Sequence, residues 1–264
     1  MKNYFLAIVA VLTVVCLTAC SKTERLSLLN DPWTYPPADS MPVAITSPYN
    51  STSVEFNAQR QVGRIVMKTN LGEKWTTEED VLVTYENNRP VQFTTNGNAK
   101  DYRTITYSAD GDAVLVKSFP SGIVDSLVYD NHKPVRCYRT GTTGTRIIYE
   151  YTWTGTNITT VATYTVDNNA KLLIAKEAYE YDSRKSPNAA FKLTAMLRPS
   201  EPTMLSENNI TKELIYTGDV VTLTWTATDM QFNKNGFPVS WINADNQGSG
   251  FPKTEYKVLV KYLP

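Results

Sequence analysis

The stretch Val83–Phe93, VTYENNRPVQF, reads as strand, tight turn, strand. Asn87-Asn88-Arg89-Pro90 supplies the turn, because Asn tolerates the left-handed backbone that short hairpins require. Forty-four residues on, Leu127–Tyr138, LVYDNHKPVRCY, repeats nearly the same pattern. Tyr85, Tyr107 and Tyr129 stand 22 residues apart, each ending a strand before a polar turn. Trp153 continues the series at 24, its WTGTN turn favouring it over Tyr151, and Tyr181 and Phe232 follow at larger gaps. Twenty-two residues hold two strands and two turns, so each repeat is one step of a meander. No single step buries its own face, and the steps must line up side by side. The aromatic at each strand end can pack over its turn. Pro90, Pro134 and Pro238 can open return strands, where a missing N–H costs the ladder little.

Period-2 alternation runs outward from these hairpins. Ile147, Tyr149, Tyr151 and Trp153 share one face, and so do Val221, Leu223, Trp225 and Ala227. One apolar face marks half-buried antiparallel strands. The 34 threonines and 16 tyrosines favour strand over helix. Residues 186–210 break the rhythm. AAFKLTAML carries weak helical spacing between Pro187 and Pro199, which suggests a short helix or loop crossing one end of the sheet, either plugging it or simply inserted. The expected fold is all-β: a single curved antiparallel meander sheet or partly open barrel, with one helical or loop insertion near 186–210.

The amino terminus gives the address. Lys2 precedes an apolar run from Tyr4 to Cys16, too short for a membrane-spanning helix. Leu17-Thr18-Ala19-Cys20 then has the form of a bacterial lipobox, with Cys20 as the acylated residue. Multiple acyl chains on one residue anchor firmly. Ser21 carries no inner-membrane retention signal, which points to a lipid-anchored outer-membrane location, cell surface or periplasmic face left open. The expected division is a signal peptide at 1–19, lipid anchor and Pro-rich tether at 20–52, and β domain at 53–264. Four prolines between Asn30 and Pro42 make the tether extended. Within it, Asp39-Ser40-Met41 matches a short acceptor pattern for O-glycosylation at Ser40; Asp125-Ser126-Leu127 matches too, but in an expected strand.

The formal charge is zero with no basic run, which removes the electrostatic footprint of a nucleic-acid partner. With Cys20 acylated, Cys137 is the thiol left in the mature chain, so no intramolecular disulfide is available. His132, the single histidine, sits in a polar turn and reads as a surface residue rather than a catalytic base. No metal set, cofactor motif or catalytic motif stands out. Asp110-Gly111-Asp112 is too short for a calcium loop, and Glu78-Glu79-Asp80 reads as a solvated loop. A glycosidase pair drawn from Glu150, Glu177, Glu180 and Asp182 has no motif behind it. Trp153 and Trp225 fall on the buried face. Trp241 and the following loop with Phe251 are the expected binding residues, at a loop-rich end.

The strand–Tyr–acid–x–(Asn/Gly)–x–Pro–Val steps resemble the loose YD-type repeats of Bacteroidota envelope lipoproteins. YEYDSRKSPNAAF (Tyr179–Phe191), LSENNITK (Leu205–Lys212) and FNKNGFPVSW (Phe232–Trp241) resemble domains of unknown function with a porin-like fold. The likeness covers about residues 60–262. Where the family has Asn-Pro-Phe, this chain has Ser186-Pro187-Asn188 with Phe191 displaced. The resemblance implies a strongly curved antiparallel sheet and supplies no activity, cofactor or catalytic residue. The expected function is a non-catalytic envelope lipoprotein that binds a glycan or an envelope protein. The alternatives are a periplasm-facing structural or lipid-holding protein, with an apolar cavity between the sheet and 186–210, and a hydrolase with two close carboxylates.

Overall fold

The computed structural model of the protein describes residues 41–70, 72, 74–167, 170–187, 191–246 and 254–263. Cys20, Ser40, most of the expected tether and Phe251 lie outside the described residues.

Sixteen antiparallel strands follow one another around a closed barrel. The first quarter holds β1 (Pro42–Thr46), β2 (Asn50–Phe56), β3 (Val62–Asn70) and β4 (Trp75–Glu86). Then come β5 (Arg89–Thr95), β6 (Tyr102–Tyr107), β7 (Ala113–Phe119) and β8 (Val124–Asp130). β9 (Lys133–Thr140), β10 (Arg146–Thr154), β11 (Asn157–Asp167) and β12 (Ala170–Lys185) precede the insertion. β13 (Asn208–Thr217), β14 (Val220–Phe232), β15 (Pro238–Asn246) and β16 (Thr254–Tyr262) complete the ring. β1 pairs with both β2 and β16, with Ile45 opposite Val260, and this seam closes the sheet. The open-sheet expectation is corrected here: closure leaves no unpaired edge. The seam also draws residues 42–52, expected in the tether, into the barrel wall.

An even strand count places Pro42 and Tyr262 at the same end. The repeat explains that end. The Tyr107 hydroxyl donates to the Pro90 carbonyl at 2.6 Å, Tyr181 to Ile158 at 2.6 Å and Tyr262 to Pro238 at 2.6 Å. Tyr85 reaches Val62 at 3.1 Å, and the Trp153 indole N–H reaches Pro134 at 2.7 Å. Each of these five aromatics therefore clasps the start of the return strand one hairpin earlier. The acceptor positions are buried, and Pro90, Pro134 and Pro238 sit beside register shifts, where no ladder bond is lost. Asn87, Asn88, Asn131 and His132 all have positive φ, as two-residue hairpin turns demand. Trp153 holds the series position, as its turn suggests.

The two faces of the wall differ. Inward residues such as Ile65, Val81, Phe93, Val116, Cys137, Tyr151 and Val161 are nearly inaccessible. The outer face carries ion pairs, with Arg64 gripping Asp80 through two bonds of 2.8 Å and Arg136 and Lys171 sharing Glu150, alongside exposed Leu82, Val128 and Leu259. A lipid-facing band would be apolar, since a midplane Arg or Lys costs ~2–4 kcal/mol.

Residues 186–187 and 191–207 enter the barrel from the clasp end. They carry a one-turn helix, α1 (Thr194–Leu197), and a 3-10 turn at Pro202–Leu205. Phe191, Leu193, Met196 and Leu197 pack against β2–β7, and Ala195 and Leu205 against β8–β12. The insertion is therefore a plug. The Tyr151 hydroxyl ties it to the wall through the Pro199 carbonyl at 2.8 Å.

Candidate functional site

The plug packs against β2–β12 and leaves one space against β13–β15 and another beside β2–β4. The first is a cavity of about 210 Å3 between Ser186, Pro187, Thr203 and Met204 of the insertion and the facing strands. Ile210, Trp225, Ala227, Met230 and Trp241 make most of its wall apolar, and Asn209, Glu213 and Asn243 add polar groups. Strand alternation puts these side chains inside: Trp225 lies opposite both Glu213 and Asp245, and Ala227 opposite Asn243. The Trp241 indole N–H donates to Asn243 Oδ1 at 2.8 Å, which fixes the ring. Tyr49, Tyr256 and Trp225 form an edge-to-face series with centroid spacings of 5.0 and 5.7 Å. This series runs from the β1–β2 turn at the far rim, where Tyr49 is exposed, inward to the cavity.

Charge in the lumen is unevenly matched. Glu79 meets Arg103 at 2.9 Å, and buried Asp125 holds Arg139 through bonds of 2.7 and 2.9 Å. Arg198 of the plug bridges Glu78 and Glu201. These last three groups border a second, more polar space of about 380 Å3, which shares Ile45 and Met204 with the first. Glu177 and Glu213 have no cation within ion-pair distance among the described residues. They occupy diagonal positions on adjacent strands, since Tyr179 lies opposite Glu213 and Ile215 opposite Glu177. Burial first, then the Glu177 charge, pushes the Glu213 carboxyl up to about 7. Burial raises Glu177 as well, against a hydrogen bond from the Tyr179 hydroxyl.

The expected site residues fall as follows. Trp241 lies on β15 inside the barrel, half-buried, and not at an exposed loop end, because its strand continues to Asn246. Trp225 and Trp153 face inward as alternation indicates. His132 stays in the β8–β9 turn, where its Nδ1 lies 3.1 Å from both Asp112 oxygens, at the clasp end. Glu78-Glu79-Asp80 is strand, not loop: a bulge opposite Met67 and Lys68 turns Glu78 and Glu79 inward and leaves Asp80 outside. Ser126 lies in β8, beside buried Asp125. No group of three metal-ligating side chains converges among the described residues. Cys137 is free and buried, and desolvation raises its thiol pKa far above the ordinary range. Glu213 and Asn209 were not singled out from sequence. Both sit in a polar run, NNITKELIY, where lumen-facing groups look like solvated ones.

No protein-family model matches the chain, and no curated protein matches it in sequence. Among solved structures, a porin-like protein from Bacteroides uniformis is similar with a TM-score of 0.56 at 10% identity. The match covers 88% of this chain and 100% of that one. A porin-like protein from Bacteroides vulgatus has a TM-score of 0.42 at 11% identity over 84% of this chain and 98% of that one. The first likeness shows a shared fold.

Proposed function

We propose that the protein is a non-catalytic envelope lipoprotein whose barrel stands in water and holds a small ring-shaped ligand, such as a terminal sugar, in its lumen. The observation that carries this reading is the 210 Å3 cavity with two indoles in one wall. The cavity has room for one substituted ring beside the indoles. Indole faces take the apolar side of a sugar ring, and the few polar groups orient it.

The lipobox at Leu17–Cys20 supports anchoring, and the ion pairs of the outer face support a barrel outside the bilayer. β1 begins at the clasp end, so the tether would set that end toward the membrane and the Tyr49 rim away from it. Glu177 and Glu213 are the close carboxylate pair of the hydrolase alternative, but of the two Glu213 alone borders the cavity. Glycoside cleavage needs two carboxylates flanking the bond. A protein partner is the second reading, favoured by exposed Leu172, Leu173, Ile174 and Val220 at the far end.

Tryptophan fluorescence during titration with monosaccharides tests the ligand reading. A saturable change that Trp225→Ala abolishes is expected. A flat titration across the panel would remove the reading.

A further inference from the structure

The cavity's polar groups say what the ring must carry. Asn209 is 5% exposed, and its Oδ1 has no hydrogen-bond partner among the described residues. Its orientation is fixed, because Nδ2 donates to both Asp182 oxygens, at 3.2 and 3.0 Å, and lies 3.4 Å from the Arg184 carbonyl. The Asn209 oxygen has almost no accessible surface, so it closes the cavity wall and meets no ligand. Four residues along β13, Glu213 presents a carboxylate to the same cavity, with Glu177 as its diagonal neighbour and no cation beside either. Asn243 Oδ1 takes the Trp241 N–H and keeps a second lone pair for a further donor. The site thus offers a carboxylate with no cation beside it, the Asn243 amide oxygen and two indole faces.

We propose that the lumen ligand is a ring bearing a primary ammonium and a hydroxyl, the chemistry of an amino sugar. The ammonium meets Glu213 and lies within reach of the Trp225 face, where cation–π attraction adds to the ion pair. The hydroxyl meets the second lone pair of Asn243 Oδ1, on the cavity wall beside Trp241. An inorganic cation fits poorly, as no three ligating groups converge there among the described residues. This inference rests on the ring-binding reading above and narrows it.

The test is calorimetric titration of the mature chain at pH 7 with glucosamine, glucose and N-acetylglucosamine. Acetylation removes the positive charge and keeps the ring. Glucosamine is expected to bind at least tenfold more tightly than the other two, and Glu213→Gln to erase that preference. Equal binding of all three would overturn the amine assignment and leave the ring reading standing. Binding of none would overturn both. The comparison of the three sugars needs no variant, so a poorly folded Glu213→Gln chain would not blunt it.

Discussion

Glu213 shows how one side chain couples the lumen to pH. Its proton is held more tightly in the folded chain, at about 7, than in the unfolded chain, near 4.5. The favourable contribution is therefore complete below about pH 4.5 and lost as pH rises through 7. Glu177 acts in the same direction, and the nearby groups that set the shift are Glu177, Tyr179 and Glu201. Asp80, Glu78 and Glu150 are lowered by their cationic and hydrogen-bonding partners, so their effects fall below that window. Urea melts at pH 5 and pH 7.5 should show the protein losing on the order of 1–3 kcal/mol across this interval. Glu213→Gln should remove most of that loss. An unchanged loss in the variant would assign the titration to another group. The sequence concealed this residue because Lys212 beside it suggests a surface ion pair. Lys212 does pair, but with Glu180 outside the barrel at 2.8 Å.

The plug is the element on which lumen geometry depends. Its sequence showed two prolines and weak helical spacing, enough to place an insertion and too little to say where it goes. Only one turn of α-helix forms, and the segment is held by apolar burial rather than helix length. Phe191 and Leu193 are fully buried in it. Phe191→Ala should destabilise the protein by about 3–5 kcal/mol through lost burial and a residual cavity. Val220→Ala, at a position 67% exposed, should change stability by less than about 0.5 kcal/mol. Equal small effects in chemical denaturation would mean the insertion does not pack in the lumen. β4 teaches a related lesson. Three successive acids hide a strand from period-2 reading, and the bulge that accommodates them becomes visible only from its partner β3.

At the scale of the molecule, the hairpin repeat was legible because it is local: aromatic, turn and proline fall within one step. The clasps that these residues make were partly legible as packing over the turns, and their hydrogen-bond acceptors, one hairpin back, were not. Closure was not legible either. It depends on β1, five residues beside a proline-rich tether, pairing with a strand more than 200 residues later. The lumen cavity inherits that difficulty, since its walls are β13–β15 and the plug together. Fluorine NMR of the mature chain labelled with 5-fluorotryptophan, titrated with glucosamine, addresses that space most directly. The five tryptophans give five resonances to follow. Those of Trp225 and Trp241, assigned by single substitution, should shift together and saturate, while Trp75 and Trp153 stay in place. Saturating shifts confined to other tryptophans, or none at all, would contradict a ligand site inside the barrel.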